Sequence, residues 1–213
     1  NLLGAEHYAD LVRTTGNLYV YESAEPSKSE LIGRQLQREQ GVQPETLTAD
    51  DVRNLEPALA PIFKRGVMLR GNVFTVNPSR FLRTLTEQFL ATGGKLVEGR
   101  VMGFDMAPSG PRALLTEAGS LSVDKVVVSA GAWSGQLTGQ LGTRVPLEAE
   151  RGYHVTLPDA GIELRNKVMN GTHSFGLTPM EDGLQITGTV EIANVNAAPN
   201  PERAEALLNH GRR

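Results

Sequence analysis

The segment Lys125–Gly142, KVVVSAGAWSGQLTGQLG, restricts the fold more than any other part of the chain. Val126, Val127 and Val128 form a continuous β-branched apolar run, the pattern of a strand buried on both faces in a parallel sheet covered by helices. Ser129, Ala130, Gly131 and Ala132 then place small residues where that strand ends and a helix begins. Within Ala132–Leu141, Gly135 and Gly139 fall on one side of the helix. Each costs about 1 kcal/mol of helix propensity, so the pair predicts close packing against a sheet. Backbone N–H groups at such a turn point outward with the positive end of the helix dipole, and small side chains let a pyrophosphate or ribose approach. Any buried strand-to-helix turn favours small residues too, so the segment alone leaves both readings open.

The rest of the chain supplies an α/β context in which an antiparallel portion is assembled from both flanks of this segment. Leu2, Leu3, Ala5, Ala9 and Val12 have helical spacing, and Leu18 and Val20 alternate with Tyr19 and Tyr21 as in a strand. A helix follows over Pro26–Gln40, with Leu31, Ile32 and Leu36 on one side and Lys28, Glu30, Arg34, Arg38 and Glu39 on a face expected to be solvated. Thr48 and Asp51 have capping-box spacing ahead of a short helix that Pro57 and Pro61 prevent from continuing. Gly66–Val76 reads as one or two strands around Gly71-Asn72. Asn77-Pro78 opens the strongest helix, with Phe81, Leu82, Leu85, Phe89 and Leu90 on one face and Gly93-Gly94 at its end. Strands are predicted at Lys95–Glu98, Val101–Met106, Arg112–Thr116 and Ser120–Val123. A curled antiparallel sheet is expected from about Arg151 to Val195, with type I′ turns at Asn170-Gly171 and Asp182-Gly183. Asn200-Pro201 opens a last helix, whose apolar stripe stops at Arg212 and Arg213. Neither end begins or finishes an element cleanly, so the sequence reads as an internal piece of a longer protein.

Composition narrows the chemistry. The formal charge of −3, with no basic block, lacks the footprint that nucleic acid requires, and acidic lipid surfaces are equally poor partners. There is no cysteine, which removes disulfides, thiol nucleophiles and cysteine-based zinc sites and fits a reducing compartment. His7, His154, His173 and His210 are scattered without metal-ligand spacing, so no metal is expected. No G-x-S-x-G elbow, phosphate loop or complete G-x-G-x-x-G occurs, and no stretch approaches the roughly 20 apolar residues of a membrane span. Asn170-Gly171-Thr172 matches a glycosylation sequon, although a hairpin turn already accounts for Asn-Gly. No acid–base pair stands out as catalytic.

VVVSAGAWSG followed by VPLEAERGYHVTLP resembles the interior of the flavin-dependent D-amino-acid oxidase superfamily, and within it the small subunit of bacterial D-amino-acid dehydrogenases. TGNLYVYES, LEPALAP, GNVFTVNPSRFLRTLTEQFLATGG and GLQITGTVEIAN extend the resemblance, in the same order, over nearly the whole chain. It implies a two-domain flavoprotein with interleaved domains: 1–76 and 144–213 as parts of a substrate domain, 77–143 as part of an FAD-binding domain. Ala130, Gly131 and Trp133 then correspond to the pyrophosphate and ribose side of FAD, and Val101 to a backbone contact with the adenine, a position that an ordinary core valine would equally fill. Tyr153, His154, His173 and Phe175 are candidates for the substrate pocket wall, though half-buried aromatics on a sheet also serve packing. The family's G-x-G-x-x-G and its substrate-carboxylate arginine fall outside this chain, and a substrate-holding tyrosine of the related glycine oxidases is matched by Gly176. The implied activity is FAD-dependent oxidative deamination of D-amino acids to keto acids and ammonia, with a quinone or oxygen as electron acceptor. Such a protein is cytoplasmic, with peripheral attachment to the inner membrane left open. Glycine, sarcosine or glycerol-3-phosphate oxidation by the same fold, or a non-catalytic binding domain derived from it, are the alternatives.

Overall fold

The structure, a computed structural model, describes residues 2–212; Asn1 and Arg213, at the two ends of the sequence reading, lie outside it. The described residues form a mixed α/β fold. The chain divides into two compact units, one formed by residues 1–89, 152–190 and 199–213, the other by 90–151 and 191–198.

In the first unit α1 (Gly4–Leu11) leads through the short β1 (Val12–Arg13) into β2 (Asn17–Tyr21). Next come α2 (Lys28–Glu39), β3 (Glu45–Thr48), α3 (Ala49–Leu55), β4 (Arg65–Leu69), β5 (Phe74–Thr75) and α4 (Pro78–Ala91). Further along the chain lie β6 (Val101–Ala107), β7 (Gly110–Thr116), β8 (Gly119–Ser122), α5 (Ser134–Gln140), β9 (Glu150–Leu157), β10 (Lys167–Asn170), β11 (Phe175–Met180), β12 (Gly183–Ile192) and α6 (Glu202–Gly211). A seven-stranded sheet has the order β3-β4-β2-β10-β11-β12-β9, so both flanks of the chain contribute to it, as expected. Its central pair, β2 and β10, is parallel, with Lys167 beside Asn17 and Asn170 beside Val20.

Strand alternation sends Leu18 and Val20 to one face of β2, where they are fully buried among Met68, Val168, Phe63 and Val52. The capping box forms: Thr48 Oγ1 accepts from Asp51 N–H at 3.2 Å, and Asp51 Oδ2 accepts from Thr48 N–H at 2.9 Å. Helix α3 lies so close to β4 that a Cβ on Gly66 would meet Val52 Cγ2 at 2.7 Å. At the end of α3, Glu56 is fully buried and holds the loop that enters β10. Helix α6 docks by the fully buried Leu207 against Phe175 and Ile186, with Asn200 Oδ1 accepting from Glu202 N–H at its start.

Several expectations need correction. Helix α2 is present but inverted. Leu31, Ile32 and Leu36 are 54–60% exposed, whereas Arg34 is 9% exposed and turns to the sheet with Glu30. Periodicity separates two faces of a helix without saying which is inward, and here Tyr19, Tyr21 and Arg65 give the charged face its partners. Only part of the α4 stripe is used: Phe81 and Leu85 pack with Leu3, Leu11 and Val12, while Leu82 and Phe89 are exposed. Asn170-Gly171 is not a two-residue turn. Residues 171–174 make the β10–β11 connection, with Ser174 at φ 57°, and the Asn170 side chain is buried with Oδ1 accepting from Thr172 and His173 N–H. That burial also removes the sequon reading. The β11–β12 hairpin turns on Glu181-Asp182, one residue earlier than expected.

The second unit contains a three-stranded antiparallel sheet, β6-β7-β8, close to the strands predicted. Lys95–Glu98 forms no strand, and Leu96 and Val97 are exposed. Val126–Val128 forms none either, and Val127 is 87% exposed. A strand buried on both faces needs neighbours, and no strand among the described residues pairs with this run. The glycines of α5 are likewise uncrowded: a Cβ on Gly135 would come no closer than 3.8 Å to Val145 O, and one on Gly139 would meet nothing within 4 Å.

Candidate functional site

Strand β6 lies at one end of the three-stranded sheet, so one of its backbone edges is left without a strand partner among the described residues. Helix α5 stands beside β6. Gln140 Nε2 donates to Met102 O at 3.3 Å, and the missing side chain of Gly103 makes room, since a Cβ there would lie 2.7 Å from Gln140 Oε1. A single 3₁₀ turn, Gly131–Trp133, leads into α5 and is closed by Trp133 N–H donating to Ala130 O at 3.1 Å. Together these elements enclose a cavity of about 500 Å³ within the second unit.

Three of the four residues assigned to the cofactor by resemblance, Val101, Ala130 and Trp133, line this one cavity, joined by Arg100, Gln136 and Gln140. Trp133 is 56% exposed, an unusual state for the only tryptophan of the chain. Gly131 adopts φ +54°, in the left-handed region, and a Cβ there would meet nothing within 4 Å. Its conformation, rather than crowding among the described residues, is what calls for glycine. An exposed aromatic face, a guanidinium and an unpaired strand edge are groups that fit part of a dinucleotide. Arg100, Gln136 and Gln140 were not singled out from sequence, although the i, i+4 spacing of the two glutamines on a helix places them on one face.

The four candidates for the substrate wall do not share one cavity. His173 and Phe175 line a cavity of about 240 Å³ in the first unit with Glu22 and His210. His173 Nε2 lies 3.0 Å from Glu22 Oε1, and its ring stacks on His210 at 5.6 Å, which in turn stacks on Phe175 at 5.6 Å. Phe175 is buried in the Ile186–Leu207 cluster. Tyr153 packs against that cluster and its hydroxyl accepts from Asn200 N–H at 2.8 Å, while His154 is exposed. Gly176, next to Phe175 and so on the opposite face of β11, is crowded by Met169 and Thr187: a Cβ there would lie 2.7 Å from Met169 Sδ. Glu22 and His210 carried no signal in sequence beyond their types.

Comparison with known proteins follows the same lines. The family model described as FAD dependent oxidoreductase matches residues 2–213. A D-amino-acid oxidase of Bradyrhizobium diazoefficiens is 35% identical over 201 residues, covering 94% of this chain and 48% of that protein. A D-amino acid dehydrogenase of Vibrio atlanticus is 25% identical over 92% of this chain and 48% of its own length. The chain thus spans about half the length of these curated relatives. Among solved structures, L-proline dehydrogenase from P. horikoshii superposes with a TM-score of 0.81 at 20% identity, over 97% of this chain and 57% of that one, a likeness of fold. Matched along its length by the family model and sharing the fold of a solved oxidoreductase, the chain belongs to the FAD-dependent oxidoreductase family.

Proposed function

We propose that the protein carrying this chain oxidatively deaminates D-amino acids to keto acids and ammonia, using FAD. The convergence of Val101, Ala130 and Trp133 on one cavity carries the reading, and the 35% identity to a D-amino-acid oxidase supports it. Bound FAD supplies a two-electron acceptor for hydride from the amine-bearing carbon, after which water converts the imine to keto acid and ammonia. In this reading 77–143 belong to the FAD-binding domain, with Val101 offering its backbone to the adenine and Ala130, Gly131 and Trp133 lying along the ribose and pyrophosphate. Residues 1–76 and 144–213 belong to the substrate domain. The substrate wall is the sheet face that carries Gly176, Met169 and Thr187, because the neighbouring Phe175 points into the core on the other face. These side chains orient the substrate and exclude water; none of them is an acid–base catalyst.

The candidate wall segments Arg151–Thr156 and Val168–Met180 contain no aspartate or glutamate to pair with a second ammonium group. Intact holoenzyme assayed with a dye acceptor is therefore expected to show higher kcat/KM for D-alanine and D-methionine than for D-lysine. Activity confined to glycine or sarcosine would move the protein to the neighbouring oxidases, and preference for D-lysine would overturn the wall assignment.

A further inference from the structure

The inward face of α2 encloses a second cavity, of about 540 Å³, whose lining shares no residue with the cavity assigned to FAD. It lies wholly within the first unit, between α2, the β2–β4 region and the β10–β11 connection. Two guanidinium groups meet there over two aromatic rings, with Arg34 Cζ 4.8 Å from the centroid of Tyr19 and Arg65 Cζ 3.9 Å from that of Tyr21. Their charges are matched unequally. Arg65 takes the carboxylate of Glu30 in a two-point pair, at 2.8 and 2.7 Å. Arg34 is nine-tenths buried and donates only to neutral oxygens, Gln37 Oε1 at 2.9 Å and Tyr21 Oη at 2.8 Å; its Nε–H, like that of Arg65, is buried with no hydrogen-bond partner.

A buried guanidinium without a carboxylate is costly, and so is a buried N–H without an acceptor. Glu30 faces Arg34 through space, and the Arg34 charge helps hold its carboxyl low, but both Glu30 oxygens are taken by Arg65; Glu25 is exposed. The walls are built for a polar guest. The Thr172 hydroxyl accepts from Glu22 N–H at 3.1 Å and keeps its own proton to donate, and Gly33 leaves the helix wall open, a Cβ there meeting nothing within 4 Å. Gly171 leaves room for the Tyr21 ring against the connection, since a Cβ there would overlap that ring.

We propose that this cavity binds a small free oxyanion, the phosphate or carboxylate group of a metabolite, with the Arg34 guanidinium as its charged partner and Thr172 as a neutral donor. The site shares no residue with those assigned to FAD, and it stands whether or not the protein deaminates amino acids. Planar guanidinium donors suit such a group better than a lysine would, because they present parallel N–H bonds to two oxygens.

Calorimetric titration of the intact protein with inorganic phosphate, at low ionic strength in chloride, tests this. Native protein is expected to bind phosphate, and Arg34→Met to weaken binding by at least about tenfold, the scale of one lost charge-assisted pair. Where circular dichroism shows the variant of the buried Arg34 to be misfolded, Gly33→Glu decides. It adds a carboxylate at an exposed helix position facing the cavity and is expected to abolish phosphate binding while the native spectrum and flavin content remain. No phosphate binding by native protein, or equal binding by native protein and folded Gly33→Glu, overturns the proposal. Vesicles containing phosphatidic acid form the second arm: capture by vesicles without a response to inorganic phosphate would assign the site to a lipid headgroup and overturn the free-ion reading.

Discussion

Truncating Glu56 is expected to destabilise the first unit more than any single change at its surface. The Glu56 carboxylate is fully buried and accepts from Asn166 N–H at 2.6 Å, from Asn166 Nδ2 at 2.7 Å and from Arg165 N–H at 3.1 Å. It thereby ties the end of α3 to the segment that enters the central strand β10. Glu56→Ala removes the acceptor and leaves three donors in place, each costing about 1–3 kcal/mol when buried without a partner. Water entering the space left by the side chain offsets part of this, so a net loss of about 3–5 kcal/mol is expected. Glu56→Gln keeps one oxygen and the shape but turns an N–H₂ toward a donor, so it should cost about half as much. Urea unfolding of the intact protein followed by far-ultraviolet circular dichroism gives the ranking, and amide exchange at Arg165 and Asn166 reports the clamp itself. A Glu56→Ala protein within about 0.5 kcal/mol of native, a value typical of surface changes, would refute the reasoning by showing that solvent already satisfies these donors.

Two further outcomes can be checked on the intact protein. Burial alone would raise the pKa of Glu30, but its hydrogen bonds and charge pairing with Arg65 prevail and hold it below the usual carboxylate range. Its folded-state pKa is thus depressed, so its stabilisation is present above the ordinary carboxylate range and is lost as pH falls through the folded value. Glu30→Gln should accordingly lower the urea midpoint at pH 7 and differ less and less from native as the medium becomes acid; a constant difference across that range would contradict the pairing. At Gly131, where φ is +54°, asparagine tolerates the backbone but adds a side chain. Gly131→Asn should therefore keep the circular dichroism spectrum and lose several-fold in flavin absorbance per protein, whereas unchanged flavin content would displace the cofactor from this turn.

Local chemistry was the legible part of the sequence. The capping box at Thr48, the alternation of Leu18 and Val20 and the hairpins of β6–β8 depend on residues close in the chain, and each stands where the pattern puts it. What depends on distant partners was not legible. Helical spacing in α2 could not tell that Arg65 and two tyrosines wait on the sheet for its charged face. Three consecutive valines announce a doubly buried strand only if other strands flank it. Likewise Asn170 shows a turn-forming residue type, but not that its side chain would fold inward and cap the connection itself. In the candidate cofactor site the resemblance supplied Val101, Ala130 and Trp133, whereas Arg100 and Gln140 become evident only when β6 and α5 stand side by side.

The parallel pairing of β2 with β10 has a consequence for how the polypeptide is made. Asn17 must wait for Lys167 to leave the ribosome before the middle of the large sheet can close. At typical synthesis speeds that interval is on the order of 10 s, long compared with the formation of a hairpin. During it β2 can pair with β4 on one side while its other edge stays open, a template for strands of other nascent chains. Residues 90–151 emerge within the same interval and have their own three-stranded sheet to build. The order of the strands thus makes late, cooperative closure of the sheet the step at which folding and aggregation compete.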